Sequence, residues 1–434
     1  MTTTVGIGVL GCGNVGGALV SLLAADAAFI EARTGLRLDV RRVAVRNTAK
    51  ERTIELPPGC LTHDAESVVN DAGVEVVVEV IGGIEPARSL ILDALKAGKP
   101  VVTANKELLA NVGAELFQAA EAAGVDLLYE AAVAGGIPLM RPLRESLAGE
   151  RITRVMGIVN GTTNYILTRM TEAGASYADA LAEAQGLGFA ERDPTADVEG
   201  FDAGAKAAII ATIAFGQQVV AGDVYREGIS GITAADIAFA TRLGYVVKLL
   251  AIAERSEPDD AADQDAVAVR VHPAMIPRAH PLASVRESFN AVFIEGQAVG
   301  DLMLYGRGAG GLPTASAVVG DLLDAAHNLV SGGRGRVGSL ARANLRPMDE
   351  LSSQYYLNLE VVDRPGVLAA VAEVFGRHGV SIRSMEQEGL GDEARLVFIT
   401  HRARERDMQA TMHDLRHLAS VERVGGLLRV MGPE

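Results

Sequence analysis

The stretch 189-FAERDPTADVEGFDAGAKAAIIATIAFG-216 runs from a cluster of carboxylates into an apolar segment, with one lysine, Lys206, where that segment begins. From Ala207 to Gly216 the only polar side chain is Thr212. A helix that is apolar on nearly every face is usually buried. Asp202 precedes Lys206 by four residues, one helical turn, so the two share a face. They are open to two roles. One is a routine surface ion pair, contributing only ~0.2–0.5 kcal/mol, with the lysine free to extend its ammonium into water. The other is chemistry: an apolar setting disfavours the charged form of a lysine and makes an amine base accessible.

A second set of residues stands near the chain start. In 5-VGIGVLGCGNVGGALVSLLAA-25 a short apolar strand meets a glycine turn and then an apolar-periodic helix. The turn, Gly11-Cys12-Gly13-Asn14-Val15-Gly16, is a GxGxxG. Gly11 permits the tight turn, Gly13 lets the backbone approach a pyrophosphate, and Gly16 lets the helix pack closely on the sheet. The helix start supplies unpaired N–H groups and positive potential for phosphates. A glycine turn alone is a weak signal, but here it has a strand before it and a helix after it, as a dinucleotide site requires. NAD-specific sites carry Asp or Glu after the second strand. This chain has Val45-Arg46-Asn47 there, which suits a 2′-phosphate, with Lys50 or Arg52 as helpers. NADP(H) is therefore expected, with NAD(H) as the alternative. Thr103 and Lys106, in 103-TANKELLA-110, follow a further strand, and such strand ends are where α/β sheets place their ligands.

These elements must be carried by a sizeable fold. At 434 residues two or three domains are expected. With 49% hydrophobic and 22% charged residues the chain reads as soluble and globular, and its net charge of −15 shows no basic face for nucleic acid. The apolar runs are too short to span a bilayer, and the start does not read as a signal peptide, so no membrane and a cytoplasmic location are expected. Two cysteines, Cys12 and Cys60, exclude a disulfide framework and a four-cysteine zinc site. His63, His272, His280 and His327 have no ligand-like spacing and read as surface or packed residues. Strand-like runs at 37–45, 74–81, 100–104 and 125–133 alternate with helical stretches such as 86–98. That alternation predicts a doubly wound parallel sheet of the Rossmann type.

Five motifs, in order, carry a resemblance over essentially the whole chain: TANK (103–106), YEAAVAGGIP (129–138), NGTTNYIL (160–167), GFAERDPTADVEGFDAGAK (188–206) and YGRGAGGLPTASAV (305–318). Together they resemble homoserine dehydrogenase. The resemblance implies interconversion of L-homoserine and L-aspartate 4-semialdehyde with a nicotinamide cofactor, a step of threonine, methionine and isoleucine biosynthesis. It implies that Lys206 is the acid/base residue, that Glu191 and Asp202 hold homoserine, and that Lys106 lies between cofactor and substrate. Gly188, Gly308 and Gly310 would line the cofactor end. Glu130 with Val133, Gly135 and Ile137 would form a monovalent cation site, for Na+ or K+. Which of Lys106 and Lys206 moves the proton stays open at this point. A homodimer or homotetramer is the implied assembly.

The expected division is a dinucleotide-binding domain over 1–136, completed by a helix at 314–330, and a catalytic and dimerisation domain with a mixed α+β sheet over 137–313. A helix at 139–149 and strands at 152–160, 245–253, 266–275 and 291–299 would build the latter, with an acidic turn at 256–265. A linker follows at 331–352. Residues 353–434 read as βαββαβ, the ferredoxin-like arrangement, and 363-DRPGVLAAVAEVF-375 resembles an ACT domain, a module that binds small amino acids. Threonine is the expected effector, with isoleucine or a purely structural module as alternatives. Two rival functions meet obstacles in the sequence. A phosphorylating aspartate-semialdehyde dehydrogenase needs a catalytic thiolate, and no cysteine lies beyond residue 60. A non-catalytic amino-acid sensor has no use for a Lys/Asp/Glu constellation.

Overall fold

The computed structural model describes residues 2–52, 54, 56–255, 265–335, 340–389 and 393–432. The acidic turn expected at 256–265 falls almost entirely outside the described residues, as does 336–339 of the expected linker. Two compact units are present: residues 1–159 with 204–224 and 289–343, and residues 160–203 with 225–288 and 344–434.

The first unit holds a parallel six-stranded sheet in the spatial order Leu61–Thr62, Leu36–Ala44, Thr3–Leu10, Val76–Glu79, Val101–Thr103, Leu127–Leu128. That is the doubly wound dinucleotide order, and the strand order reverses beside Thr3–Leu10, whose end carries the glycine turn. The central strands are apolar from Val5 to Leu10 and from Val76 to Val78 because both faces are covered, whereas Leu36–Ala44 carries Arg37, Asp39, Arg41 and Arg42. The helix Asn14–Ala25 and the long helix Gly311–Ser331 pack on each other, and Leu19, Leu23, Val318, Leu322 and Ala325 join one core with Val5, Ile7 and Val9. In the same unit Phe289–Gly296 pairs antiparallel with both Ile152–Ile158 and Gly300–Arg307.

The expected strand at 125–133 is only Leu127–Leu128, followed by a 3₁₀ turn at Glu130–Ala132. The chain leaves the ladder there because the Glu130 N–H donates to Asp321 Oδ2 (2.7 Å) instead. The helix expected at 139–149 is a short widened turn, Pro142–Ser146, where Pro142 withholds a backbone donor.

In the second unit Tyr245–Arg255 pairs antiparallel with Val267–Pro277. The C-terminal module supplies Ser352–Val362, helix Val367–Arg377, Ile382–Gly389, Glu393–Thr400, helix Glu405–Arg416 and Val421–Val430, the expected βαββαβ succession. Its sheet does not stand alone. Ala274 and Met275 pair in parallel with Arg429 and Val430, so the module extends the sheet that holds Val267–Pro277. Its own core gathers Tyr355, Leu357, Val371, Phe375, Phe398 and Met412. On the opposite side of the sheet lies the helix Ala234–Arg242: Asp236 accepts from Tyr356 Oη (3.1 Å) and Arg242 donates to Glu386 (2.8 Å). Among the described residues no single helix is long and apolar enough to cross a membrane.

Candidate active site

In the first unit the glycine turn is built as its residues require. Gly11 sits at φ 104° and a Cβ there would meet the Val80 carbonyl oxygen at 2.8 Å. At Gly16 a Cβ would lie 2.2 Å from the Gly11 carbonyl oxygen, so the helix meets the turn at backbone contact. Around Gly13 the space is open. The turn borders a cavity of about 570 Å³, whose wall includes Val45, Arg46, Asn47, Lys50, Arg52 and His63. Arg52 donates to the carbonyls of Lys50 (2.7 Å) and Asn47 (2.8 Å) and so shapes the loop after the second strand. Arg46 and Lys50 are exposed at the wall, and His63 joins them there. Open space at Gly13, helix N–H groups and the cationic side chains of Arg46, Lys50 and Arg52 fit the phosphates of a dinucleotide.

Gly310, at φ 121°, caps the helix Gly311–Ser331, and a Cβ on Gly311 would lie 2.8 Å from Asn14 Oδ1. The GRGAGG segment thus reaches the glycine turn. Gly308 lies against the 135–136 loop, since a Cβ on Gly135 would meet the Gly308 carbonyl oxygen at 2.4 Å.

Thr103 is fully buried and its hydroxyl donates to Glu79 Oε2 (2.6 Å), while the Asn105 N–H donates back to Thr103 Oγ1 (3.0 Å). The Thr103 hydroxyl therefore organises the strand end. Asn105 caps the helix Lys106–Ala123 by accepting from the Leu108 N–H, and this sets Lys106 at the first helical position, half-buried.

The side chain of Glu130 is engaged by backbone. Its oxygens accept from the N–H groups of Leu139 (2.5 Å), Met140 (2.7 Å) and Arg141 (2.8 Å). What Glu130, Val133, Gly135 and Ile137 retain for a cation is carbonyl oxygen, and Ala134 (φ 58°) and Gly135 (φ 54°) turn the chain sharply between them. Among the described residues no group of three or more His, Cys, Asp or Glu side chains is arranged for a metal ion.

Lys206 lies on the helix Phe201–Phe215, and its Nζ donates to the Val159 carbonyl at 2.6 Å, just beyond the strand Ile152–Ile158. Lys206 is half-buried, not engulfed as the apolar run suggested, although Ala203 before it and residues 207–212 after it are buried.

In the second unit Gly188 (φ 76°) and Glu191 lie on the exposed loop after the helix Tyr177–Gly186. Gln185 Nε2 holds that loop through the Glu191 carbonyl (3.0 Å), which leaves the Glu191 carboxylate outside this contact. Asp202 is in the first turn of Phe201–Phe215, where a carboxylate is favoured by the helix dipole. Its Oδ2 accepts from Asn160 Nδ2 at 2.9 Å, and the same amide donates to Asp197 Oδ1 at 2.7 Å. Neither Asn160 nor Asp197 was assigned a role from sequence. Both lie in the quoted motifs, but their meeting is tertiary and leaves no local spacing to read.

The C-terminal module has its own cavity, of about 330 Å³, lined by residues 361–368 with Gln387, Ala394 and Leu396. Gly366, at φ 90°, caps the helix Val367–Arg377 there.

Family models match residues 11–130 (homoserine dehydrogenase, NAD binding domain), 138–323 (homoserine dehydrogenase) and 355–418 (ACT domain). The homoserine dehydrogenase of Mycobacterium tuberculosis is 51% identical over 435 residues, covering 99% of this chain and 98% of that one. A crystal structure of the enzyme from Thiobacillus denitrificans superimposes with a TM-score of 0.92 at 41% identity, covering 99% of both chains. A hyperthermophilic archaeal homoserine dehydrogenase mutant in complex with NADPH matches 75% of this chain and 98% of its own, with a TM-score of 0.63 at 29% identity. With relatives this similar along its full length, the chain belongs to the homoserine dehydrogenase family and carries an ACT domain at its C-terminal end.

Proposed function

We infer that the chain is an NADP-dependent homoserine dehydrogenase in which Lys206 transfers the proton and Asp202 with Glu191 holds the substrate ammonium. One observation carries this reading: Asp202 and Lys206 stand one turn apart on a single helix, and two consecutive residues pin them, Asn160 the carboxylate and Val159 the amine. Fixed geometry is what a proton-transfer group needs. The bound nicotinamide supplies the hydride chemistry. In the reducing direction the Lys206 ammonium donates a proton to the new alkoxide oxygen of the substrate; in the oxidising direction its amine accepts the hydroxyl proton. An ammonium has three N–H bonds. One goes to the Val159 carbonyl. Lys106, at the start of its helix, is the second lysine, implied by the family resemblance to lie between cofactor and substrate.

NADP is favoured over NAD by Arg46 and Lys50 at the cavity wall and by the absence of an acidic residue at 45–47. The archaeal relative's complex with NADPH supports the same choice. A monovalent cation fits the carbonyl oxygens of Glu130, Val133, Gly135 and Ile137, since hard cations take oxygen ligands. Residues 1–136 with the helix at 314–330, 137–313 and 353–434 serve as cofactor, catalytic and regulatory domains. The test is an assay of NADP and NAD reduction by homoserine, and of semialdehyde reduction by NADPH. Absence of homoserine-dependent turnover with either cofactor would sink the reading.

Threonine is the proposed effector of the ACT domain. The 330 Å³ cavity at the helix start around Gly366 suits a small amino acid, whose carboxylate can meet free N–H groups there. Threonine inhibits only if it binds the less active state better than the active one.

A further inference from the structure

Asn160 is 5% exposed and caps the helix Gly161–Ala173. Its Oδ1 accepts from the Thr163 N–H (2.9 Å) and from Thr163 Oγ1 (3.0 Å). Capping uses only that oxygen. The other half of the amide points elsewhere: Nδ2 donates to Asp197 Oδ1 (2.7 Å) and to Asp202 Oδ2 (2.9 Å). The orientation of the amide is settled by its neighbours. Ionised carboxylates only accept and a backbone N–H only donates, so the reversed amide would oppose oxygen to two carboxylates and NH₂ to an N–H.

The chain path brings both carboxylates to this one group. Asp197 lies in the short helix Thr195–Val198 and Asp202 in the first turn of Phe201–Phe215. Gly200, at φ 79°, turns the backbone between them. The charge of the holding group matters as much as its place. Hydrogen bonds to ionised acceptors are strong and directional, yet a neutral amide fixes the carboxylates without cancelling their charge. Lysine or arginine at 160 would neutralise them, and serine would cap the helix without two donors to offer.

We propose that Asn160 is a positioning residue of the substrate site: its amide sets the Asp202 carboxylate, with Asp197 beside it, in the orientation that receives the substrate's ammonium. The proposal rests on the reading of Asp202 as the ammonium ligand. Asn160 acts through Asp202 and takes no part in the proton transfer.

The N-cap role can be separated from the positioning role by choice of variant. Asn160→Asp and Asn160→Ser both keep a good capping oxygen; neither keeps the two donors. Steady-state constants for homoserine and NADP are measured for both, together with Asp202→Asn, the double variant Asn160→Ser/Asp202→Asn, and melting temperatures. The expected result is a KM for homoserine raised roughly 10- to 100-fold in both Asn160 variants, the range that losing hydrogen bonds to a charged group implies. The fall in kcat should be smaller, with the KM for NADP and the melting temperature near wild type. The double variant should be no worse than Asp202→Asn alone, because the two residues act as one unit. If Asn160→Asp is weakened by carboxylate repulsion, Asn160→Ser gives the same reading without it. A homoserine KM within about two-fold of wild type in both Asn160 variants, or additive losses in the double variant, overturns the proposal and reduces Asn160 to a helix cap. If that happens while Asp202→Asn raises the KM, the ammonium reading stands. If Asp202→Asn leaves the homoserine KM unchanged, the ammonium reading fails and this proposal with it.

Discussion

The Nζ of Lys206 donates to the carbonyl oxygen of Val159 at 2.6 Å. A neutral acceptor at a strand end aims the amine without taking its charge. The lysine is half-buried, while its helix continues into the core.

Cofactor choice should follow Arg46. In Arg46→Asp the ratio of kcat/KM for NADP over that for NAD should fall roughly 10- to 100-fold, the worth of a charge-assisted contact to phosphate. Arg52 is less informative to change, because its guanidinium also holds the carbonyls of Asn47 and Lys50. A ratio that stays put in Arg46→Asp would make Arg46 a surface residue only.

The ACT domain should read threonine at the turn before Val367. Initial rates against threonine concentration should show inhibition in the wild type and none in Gly366→Glu, whose uninhibited turnover should be normal. Coupling of ~1–3 kcal/mol, a 5- to 150-fold change in affinity, is the usual scale. Removing the module after residue 347 is a poorer test. It would strip Arg429 from Glu227 and take Arg429 and Val430 from beside Ala274 and Met275. Equal inhibition in Gly366→Glu would place threonine at the catalytic site as a homoserine mimic.

The attachment of the module is itself testable. Arg429 is 1% exposed and its guanidinium donates to Glu405 (2.6 and 3.0 Å) and to Glu227 (2.7 and 2.8 Å). Arg429→Met would leave Glu405 buried without its cation, and breaking a buried pair from one side costs about 3–5 kcal/mol. Denaturant unfolding should show a loss on that scale; a loss below about 1 kcal/mol would mean that the sheet pairing alone carries the junction.

The glycine turn, the parallel sheet and the module's βαββαβ order were legible because each is written in local periodicity and turn chemistry. The site was legible only in part. Lys206 and Asp202 share a helix, so their four-residue spacing shows in sequence. Asn160 reaches Asp202 across 42 residues, and that contact exists only once the fold has formed. The apolar run misled in one respect: it predicted a buried lysine, whereas Lys206 is half-buried. A fully buried lysine does exist, at Lys248 inside the strand Tyr245–Arg255, where apolar residues flank it on both sides. The joining of the module's sheet to Val267–Pro277 was likewise invisible, since edge pairing is set by shape rather than by composition.

Lys248 predicts a pH effect. It is 2% exposed, donates to Asn164 Oδ1 (2.8 Å) and the Val285 carbonyl (2.5 Å), and burial lowers its pKa to about 8. The unfolded chain, with a lysine pKa near 10.4, binds more protons than the folded one between pH ~8 and ~10.4, so this residue's contribution to stability rises with pH across that window. The melting temperature of wild type relative to Lys248→Met should therefore increase from about pH 8 to about pH 10. A constant difference would mean that Lys248 titrates alike in both states.

Single-turnover and steady-state kinetics of Lys206→Ala, with NADPH affinity measured by its fluorescence, bear on the proton-transfer role more closely than any other experiment. Turnover should fall roughly 10²- to 10⁴-fold, NADPH should bind as in wild type, and Lys106→Ala, measured in parallel, should not abolish the pH dependence that Lys206→Ala removes. Turnover near the wild-type value in Lys206→Ala would contradict the assignment of Lys206 as the group that moves the proton.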